Sequence, residues 1–467
     1  MLAGVIIFAR PARGEGISAG FIWDRYELTL EKGVRTEAAG PFFYSQASES
    51  NSVWAIPPFF SSERDPVTDL EVDQFLYPLM TRTRYGTERR WQFFELLNTE
   101  SGQHAADTNA NFTQFTLFPI YFQQRSTDTN LNYTAVVPFY GHLQKRLFRD
   151  EISFVMMPFY VETRKRDLVT DNYFWPFYDI HHANGLTGWQ FWPFVGHEHK
   201  VLTTETNGYG VTTIPGHDHT FYMWPIYFWQ NNGIGGDNPE QYRAFIPAYA
   251  YSRSPQRDVT TVLWPLFSVI DDRNLKYHEW QGPWPFVIFT HGEGKTTQRV
   301  WPLFSQSHNK TRENNSYLWP LFVHTGLHSD PIDQNRDRVL FYLWDRLSLR
   351  NTVTGKERVR VDMWPLLTWH RDFNGNERLQ LIAPLEPSVP DNPGIERNWS
   401  PVWSLWRSES SPRAHASSQS LLWNLYRHES APEHQERSIL FGLYQSHTDT
   451  NESTVRLFYI PLAHNRK

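Results

Sequence analysis

The feature that most constrains this chain is a short apolar phrase that recurs along it. Three copies in the middle of the sequence end in Trp-Pro-Leu-Phe, and they are Leu263–Phe267, Val300–Phe304 and Leu318–Phe322. The prolines of four successive copies, at positions 265, 285, 302 and 320, lie 20, 17 and 18 residues apart. A recurrence at this period is typical of an array of small, similar units that bury their apolar surface by stacking on neighbours. The sequence therefore predicts one repeated structure.

The proline is the replaceable member of the phrase. In late copies Ser404, Asn424 and Gly442 stand in its place, while the flanking aromatic and aliphatic residues persist. The copies cover nearly the whole chain and correspond to about 22 units of about 19 residues, each long enough for a strand and a turn. No linker interrupts the array, so we expect a single β-repeat domain over 21–467.

The spacing is disturbed between positions 193 and 247. Pro215 and Pro225 lie only ten residues apart, against the period of about 19 elsewhere. Either one of the two prolines is a spare that does not belong to a copy of the phrase, or the unit at this point is an enlarged hairpin.

Composition supports an all-β fold. Aromatic residues make up 16% of the chain although its mean hydropathy is −0.55, so the apolar residues are concentrated in short segments separated by polar ones. Segments of this kind between Gly, Asn, Asp and Ser clusters predict strands and turns. We find no long helical periodicity. The chain contains no cysteine, which excludes disulfides, thiolate metal sites and a cysteine nucleophile.

The apolar segments themselves look buried on both sides. Side chains of a strand alternate between its faces, and in Tyr317–Phe322 both faces are apolar. We therefore expect these segments to form the core of each unit. Because proline has no N–H to donate to a ladder, each proline should sit at a bulge, a corner or an edge.

Two architectures remain open. In the first, the units form an antiparallel up-and-down β-meander that closes into a large barrel, and the aromatic composition favours it slightly. In the second, each unit is a short hairpin bent at the proline, and the aromatic clusters meet in the core of a radial or solenoid-like closed array.

The N-terminal residues 1–20 stand apart from the repeat. Met1–Ala9 is apolar but short, and Arg10–Gly14 changes character sharply. The segment is either the remnant of a signal peptide or a first strand.

The late units Trp403–Trp406 and Leu422–Tyr426, with the earlier Trp-Pro-Leu-Phe copies, resemble uncharacterised bacterial Trp-Pro-Leu-Phe repeat proteins of the cell envelope. The resemblance covers most of the chain. It implies a bacterial envelope protein and assigns no functional residues.

Two pairs of histidines are the strongest candidates for a binding site. His197 and His199, like His217 and His219, are two residues apart, so each pair lies on one face of a strand. Two such strands would offer four nitrogens to a divalent metal. Carboxylates follow many apolar segments, but no spacing selects a catalytic pair. We predict no cofactor and no enzymatic activity.

These observations favour a non-enzymatic β-repeat protein of the cell envelope, in the outer membrane or the periplasm, with a structural or conduit role. Its partners would be outer-membrane lipid or envelope proteins, and the sequence leaves a small-molecule ligand open. The net charge is −6 with scattered Lys and Arg, which is not the pattern of a nucleic-acid-binding protein. The alternative is a soluble periplasmic or secreted scaffold that binds through its polar turns.

Overall fold

The chain is represented by a computed structural model that describes residues 20–94, 96–104, 107–207, 210–450 and 452–466. Of the N-terminal segment 1–20, only Gly20 falls within these residues, so the expected signal remnant or first strand lies outside them.

The strands are short and are numbered here in chain order. β1 to β7 are Trp23–Glu27, Gly33–Ala38, Phe43–Ser48, Ser52–Ile56, Phe60–Asp65, Leu70–Phe75 and Met80–Tyr85. β8 to β21 are Glu88–Phe93, Leu97–His104, Asp107–Leu117, Tyr121–Ser126, Tyr133–Val136, Tyr140–Arg146, Arg149–Val155, Tyr160–Lys165, Leu168–Tyr173, Tyr178–Ala183, Leu186–Phe191, Val195–Lys200, Thr203–Asn207 and Gly210–Ile214. β22 to β35 are Gly216–Tyr222, Tyr227–Ile234, Glu240–Phe245, Tyr249–Arg253, Arg257–Val262, Phe267–Asp272, Tyr277–Gln281, Val287–Gly292, Lys295–Val300, Phe304–Asn309, Arg312–Tyr317, Phe322–Ser329, Ile332–Val339 and Trp344–Asn351. β36 to β45 are Glu357–Met363, Leu367–Arg371, Glu377–Leu381, Trp406–Ser411, Ala416–Leu421, Tyr426–Ala431, His434–Ile439, Tyr444–Asp449, Glu452–Leu457 and Ile460–Arg466. The helices are α1 Pro393–Asn398 and α2 Ser400–Trp403, with 3-10 turns at Gly40–Phe42 and Thr129–Leu131.

The fold is all-β, with 63% of residues in strands and 4% in helices. The strands form one large antiparallel up-and-down sheet of 43 strands, and β20 and β21 form a separate hairpin. This confirms the all-β class and the antiparallel up-and-down repeat. The pairings among the described strands do not close the sheet into a barrel.

The disturbed spacing after position 193 is an enlarged hairpin, as the two closely spaced prolines indicated. The β20–β21 hairpin is inserted between β19 and β22, which pair directly with each other. Pro215 lies at the end of this insertion, and Pro225 occupies the turn between β22 and β23. The spare proline thus belongs to the insertion.

Each repeat unit is a pair of strands, and its proline lies in the turn between them. Trp301, Pro302 and Leu303 separate β30 from β31, and the next polar turn separates β31 from β32. Proline turns therefore alternate with polar turns. Because neighbouring strands are antiparallel, the proline turns of successive repeats lie along one edge of the sheet. We call this edge the Pro edge.

The turn geometry explains why proline is tolerated there. In the turn Leu318–Leu321, the N–H of Leu321 donates to the carbonyl of Leu318 at 2.8 Å, and Pro320 occupies the third position. The same bond closes the late turn that contains Asn424, from Leu425 to Leu422 at 2.9 Å. The third residue is not part of this bond, so a residue without an N–H fits as well as one with it.

The expectation that the aromatic segments form the core is wrong. In β27, Phe267 and Val269 are exposed, whereas Ser268, Ile270 and Asp272 are buried. Among the described residues, buried polar side chains outnumber buried apolar ones. We call the side of the sheet with the buried residues the packed face, and the other side the exposed face. The side chains thus alternate between the two faces as expected, but the buried face carries mainly polar residues.

The chain divides into two compact units. The first contains the described residues up to 86, 342–344 and those from 356 onward, and the second contains 87–341 and 345–355. The packed face of the second unit includes an apolar cluster on β11 to β15, formed by Phe122, Tyr133, Ala135, Leu143, Ile152, Phe154 and Val161.

In the first unit, α1 packs against β4 and β5, and α2 packs against the 3-10 turn Gly40–Phe42. Asn392 caps α1 by accepting hydrogen bonds from the N–H groups of Gly394 and Ile395. The amide of Asn398 donates to the side chain of Gln74 at 2.8 Å, and the indole N–H of Trp399 donates to the carbonyl of Tyr77 at 2.8 Å.

Candidate functional site

The Pro edge of the second unit carries a row of aromatic rings. The ring centroids of Phe286 and Trp301 are 5.6 Å apart, those of Trp301 and Trp319 are 5.4 Å apart, and those of Trp319 and Phe341 are 5.6 Å apart. The N–H of Trp319 donates to the carbonyl of Pro302 at 2.8 Å. Backbone bonds between neighbouring turns therefore hold the rings in a continuous row.

These rings are half exposed, together with the aliphatic residues between them. Trp319 is 41% exposed and Leu303 is 57% exposed. Exposed apolar surface that continues over many residues is unusual for a protein surface facing water and marks an interaction site. The Pro edge is therefore a candidate binding surface of the second unit.

The apolar band on the exposed face is shallow. On β27, Phe267 and Val269 lie nearest to the Pro edge, and the next residue on that face is Asp271. On β29, Phe289 is followed on the same face by His291. At about 3.3 Å per residue the band therefore extends about 10 Å from the turns.

The four histidines predicted as metal ligands lie on two neighbouring strands but on opposite faces. In the β19–β22 ladder, Glu198 is opposite His219, and His199 is opposite Asp218. Directly opposed residues share a face, so His217 and His219 lie with Glu198 on one face. His197 and His199 lie with Asp218 on the other, and their side chains are 42% and 47% exposed.

A compact cluster surrounds Glu198 on its face of the sheet. Its Oε1 lies 2.5 Å from Nε2 of His217 and 3.7 Å from Nδ1 of His219, and its Oε2 lies 2.8 Å from Nε2 of His181. The rings of His217 and His219 are stacked with centroids 4.4 Å apart. The ligand atoms of Glu198, His217 and His219 all lie within 4.8 Å of one another.

A second layer of polar groups orients this cluster. Nδ1 of His181 lies 2.9 Å from Oδ1 of Asp179, and Nε2 of His219 lies 2.5 Å from Oδ1 of Asn232. Gly188 is directly opposite His181, and a Cβ at position 188 would come within 2.1 Å of its Nε2. The glycine thus leaves the space that the imidazole occupies.

The charges of the cluster follow from these contacts. Hydrogen bonds to Asp179 and Glu198 raise the pKa of His181 to about 9, so it is an imidazolium at neutral pH. The hydrogen bonds from His181 and His217 lower the pKa of Glu198 to about 2 against the effect of burial. Burial lowers the pKa of His217, despite its bond to Glu198, and keeps it neutral.

Sequence reasoning found His217 and His219 but missed Glu198 as their partner. Glu198 stands between His197 and His199, and strand alternation alone places it on the face opposite to theirs. The signal was thus present in the sequence. Its use required the register between β19 and β22, which the inserted β20–β21 hairpin conceals.

A second His–Glu group lies in the first unit. His434, Glu436 and His447 each place a ligand atom within 4.8 Å of the others, and among the described residues this group and the Glu198 group are the ones with this geometry. The rings of His434 and His447 are 4.6 Å apart in an edge arrangement. Its contacts are looser, since Nε2 of His434 lies 3.7 Å from the carboxylate of Glu436.

The packed face of the first unit is dominated by buried charge pairs. Arg35 donates to Glu37 at 2.7 Å, and Nε of Arg427 donates to Glu429 at 2.7 Å. Burial acts to raise the pKa of Glu37, but the Arg35 guanidinium and the Tyr26 hydroxyl outweigh it and lower that pKa. Burial raises the pKa of Glu429 in spite of Arg427, so the two pairs differ in their electrostatics. Both pairs link neighbouring positions of one strand and are structural arrangements.

A scan of the chain against protein-family models gave no match, and a search of curated proteins gave no similar sequence. Within the described part of the chain, the longest helix has six residues, so no helix there is long enough to cross a membrane.

Proposed function

We propose that this chain is a non-enzymatic, structural β-repeat protein of the bacterial cell envelope that attaches to the outer membrane through its Pro edge. The observation that carries the proposal is the distribution of polar and apolar residues between the two faces of the sheet. Most of the buried residues are polar, while many aromatic and aliphatic residues are exposed along the Pro edge and the adjoining strand ends. A surface of this kind needs an apolar surrounding.

The residue types favour lipid as that surrounding. Trp and Tyr combine an apolar ring with a polar group, and they are enriched where a membrane meets water. Trp301 and Trp319 stand side by side at the Pro edge, and polar residues such as Asp271 and His291 follow about 10 Å further along the strands. This order, apolar then polar, matches the gradient across one membrane surface.

The depth of the band favours attachment over spanning. An apolar band of about 10 Å agrees with the ~5–10 Å to which interfacial proteins enter a membrane. It is well below the ~25 Å apolar height of a membrane-spanning barrel. The structural role therefore fits this chain better than a conduit.

The proposal includes closure of the sheet at the first unit. Phe21, just before β1, packs edge-on against Phe441 with ring centroids 5.5 Å apart. The hydroxyl of Tyr459 donates to the carbonyl of Phe441 at 2.9 Å, next to Gly20. These contacts bring the beginning of the described sheet to its last turns.

The test is flotation of the full chain with vesicles of phosphatidylethanolamine and phosphatidylglycerol. We expect the chain to float, and W301Q with W319Q to weaken binding by at least about tenfold per Trp, since burying a large apolar side chain is worth about 1.5–3 kcal/mol. The control is T296Q, because Thr296 is exposed near the polar end of β30, and it should bind normally.

Quenching of Trp fluorescence by brominated lipids gives the depth. Quenchers near the headgroups should be the most effective, in agreement with a shallow band. A folded chain that stays unbound in this assay would contradict the proposal and favour a soluble scaffold. Maximal quenching at the centre of the bilayer would contradict shallow attachment.

A further inference from the structure

We propose that Glu198, His217 and His219 form a binding site for one divalent transition-metal ion, with Zn²⁺ as the best-suited ion. The three side chains lie together on one face of the β19–β22 ladder in the second unit. The proposed site is independent of the membrane attachment proposed above. Its ligand set differs from the four histidines that the sequence suggested.

The donor atoms suit zinc in kind and number. Imidazole nitrogen and carboxylate oxygen are both common zinc ligands, and two His with one Glu leave a fourth tetrahedral position for water. Bonds of about 2.0–2.1 Å place tetrahedral ligand atoms about 3.3 Å apart. The contacts of Glu198 with His217, at 2.5 Å, and with His219, at 3.7 Å, bracket this value. Side-chain adjustments of about 1 Å therefore complete the site.

His181 is a positioning residue and not a ligand. Its two N–H groups face Oδ1 of Asp179 at 2.9 Å and Oε2 of Glu198 at 2.8 Å. Both nitrogens are thus occupied, and Oε2 of Glu198 is held away from the metal position. Oε1 remains directed at His217 and His219, where the ion would bind.

His219 is oriented in the same way from the other side. Its Nε2 faces Oδ1 of Asn232 at 2.5 Å, and the amide of Asn232 donates to Glu240 at 3.2 Å. The donation of Nε2–H to Asn232 leaves the lone pair on Nδ1, the atom nearest to Glu198. Partners of this kind fix the tautomer and ring direction of a metal-binding histidine.

Binding would be pH-dependent. The ion replaces the proton shared between His217 and Glu198, so acid competes with it. The charged groups that face the site are His181, Asp179, Glu240 through Asn232, and Lys200, which is directly opposite His217. We therefore expect the affinity for the ion to fall as the pH is lowered, because protons compete for the same ligand atoms.

The experiment is titration of the full chain with Zn²⁺ by calorimetry, with Co²⁺ absorption as the second readout. All proteins carry H447A, which removes a ligand of the second His–Glu group. We expect one ion per chain and intense d–d bands typical of tetrahedral Co²⁺. H217A or the nearly isosteric E198Q should weaken binding by at least about 100-fold and abolish these bands.

The matched control is the pair H197A and H199A on the opposite face of the same strand. This variant should bind Zn²⁺ like the parent. The positioning variant H181Q should weaken binding by about 10–100-fold but keep the tetrahedral Co²⁺ bands, since the ligands remain. G188A, which crowds His181, should behave like H181Q.

Three results would overturn the proposal. They are the absence of Zn²⁺ binding by the folded parent chain, unchanged binding by folded E198Q, and loss of binding in the H197A and H199A control. Thermal melts of each variant establish folding, and E198Q keeps the test decisive if H217A does not fold.

Discussion

The packed faces of the two units differ although both are built from the same repeat. In the first unit, Arg-x-Glu pairs such as Arg35 with Glu37 and Arg427 with Glu429 place both charges on the packed face, because residues two apart share a face. In the second unit, Phe154 and Leu143 are almost fully buried in an apolar cluster. The repeat therefore specifies the backbone and its Pro edge, and it leaves the chemistry of the packed face variable.

The two solutions depend on different physical effects. Burying an ion pair costs the hydration free energy of both charges, and their mutual attraction and hydrogen bonds offset this cost. The net contribution of an intact pair to stability is therefore small. An apolar cluster is stabilised by the area that it removes from water and by close packing. The first unit should thus be sensitive to loss of one partner, and the second to loss of volume.

The largest effect is expected for R427A in the first unit. The side chain of Arg427 is 7% exposed, and its removal leaves the carboxylates of Glu429 and Asp24 buried without it. The free energy of unfolding of this unit should fall by about 3–5 kcal/mol. Native-state hydrogen exchange measures it unit by unit.

The control for this prediction replaces both charges. R427M combined with E429L should recover most of the loss, since an apolar pair of similar volume is often neutral or stabilising. A double variant as unstable as R427A would show that the charge itself is required, and would break the proposed contrast between the units.

The next effect is expected for L143A in the second unit. Leu143 is 2% exposed within the cluster, so the truncation opens a cavity and should destabilise this unit by about 3 kcal/mol. L303A is the control, because Leu303 is exposed at the Pro edge and its loss in water should change stability by less than about 0.5 kcal/mol. If hydrogen exchange showed that L143A and L303A lower the stability of the unit equally, the Pro edge would contribute to the core as much as the cluster does.

A smaller effect concerns pH and the second unit. The pKa of His181 is raised to about 9 from 6.5, so its stabilising contribution is fully present below pH 6.5 and is lost as the pH rises through 9. Protection of amides in β17 to β19 should therefore decrease between pH 6.5 and 9.5. H181Q should remove this dependence, whereas H182Q, on the exposed face, should retain it.

The smallest effect is a gain in the first unit. Burial raises the pKa of Asp24 to about 6, partly offset by Arg427, so the native state binds its proton more tightly than the unfolded state. Stability is therefore lost as the pH rises from about 4 to above 6. A shift of this size corresponds to at most ~3 kcal/mol, so D24N should add about 1–3 kcal/mol at pH 7 and nothing at pH 4. The exposed D69N should show no such gain in urea unfolding.

Much of the architecture was predictable from the sequence. The period of the proline slots, the polar turns and the aromatic composition indicated an all-β antiparallel repeat, and the pairing of the strands confirms it. The close spacing of Pro215 and Pro225 also indicated the enlarged hairpin. These features are local, because turn chemistry and strand alternation act over a few residues.

The helical insertion that contains α1 and α2 was not predicted from the sequence. Ala383–Leu385 and Trp403–Trp406 are spaced like any other two copies, so the segment between them looked like one more unit. The Asn392-Pro393 pair, with an N-cap residue followed by proline at the first helical position, was the available signal for α1.

The sequence by itself determined the repeat, the strand class and the position of the prolines in turns, since these follow from backbone geometry. It also contained the alternation that places Glu198 opposite to His197 and His199. The tertiary structure decided which face of each strand is buried and which strands become neighbours. Burial depends on the whole set of surrounding strands, and register depends on the insertions between them, so the polar packed face and the Glu198 cluster became visible only in the folded chain.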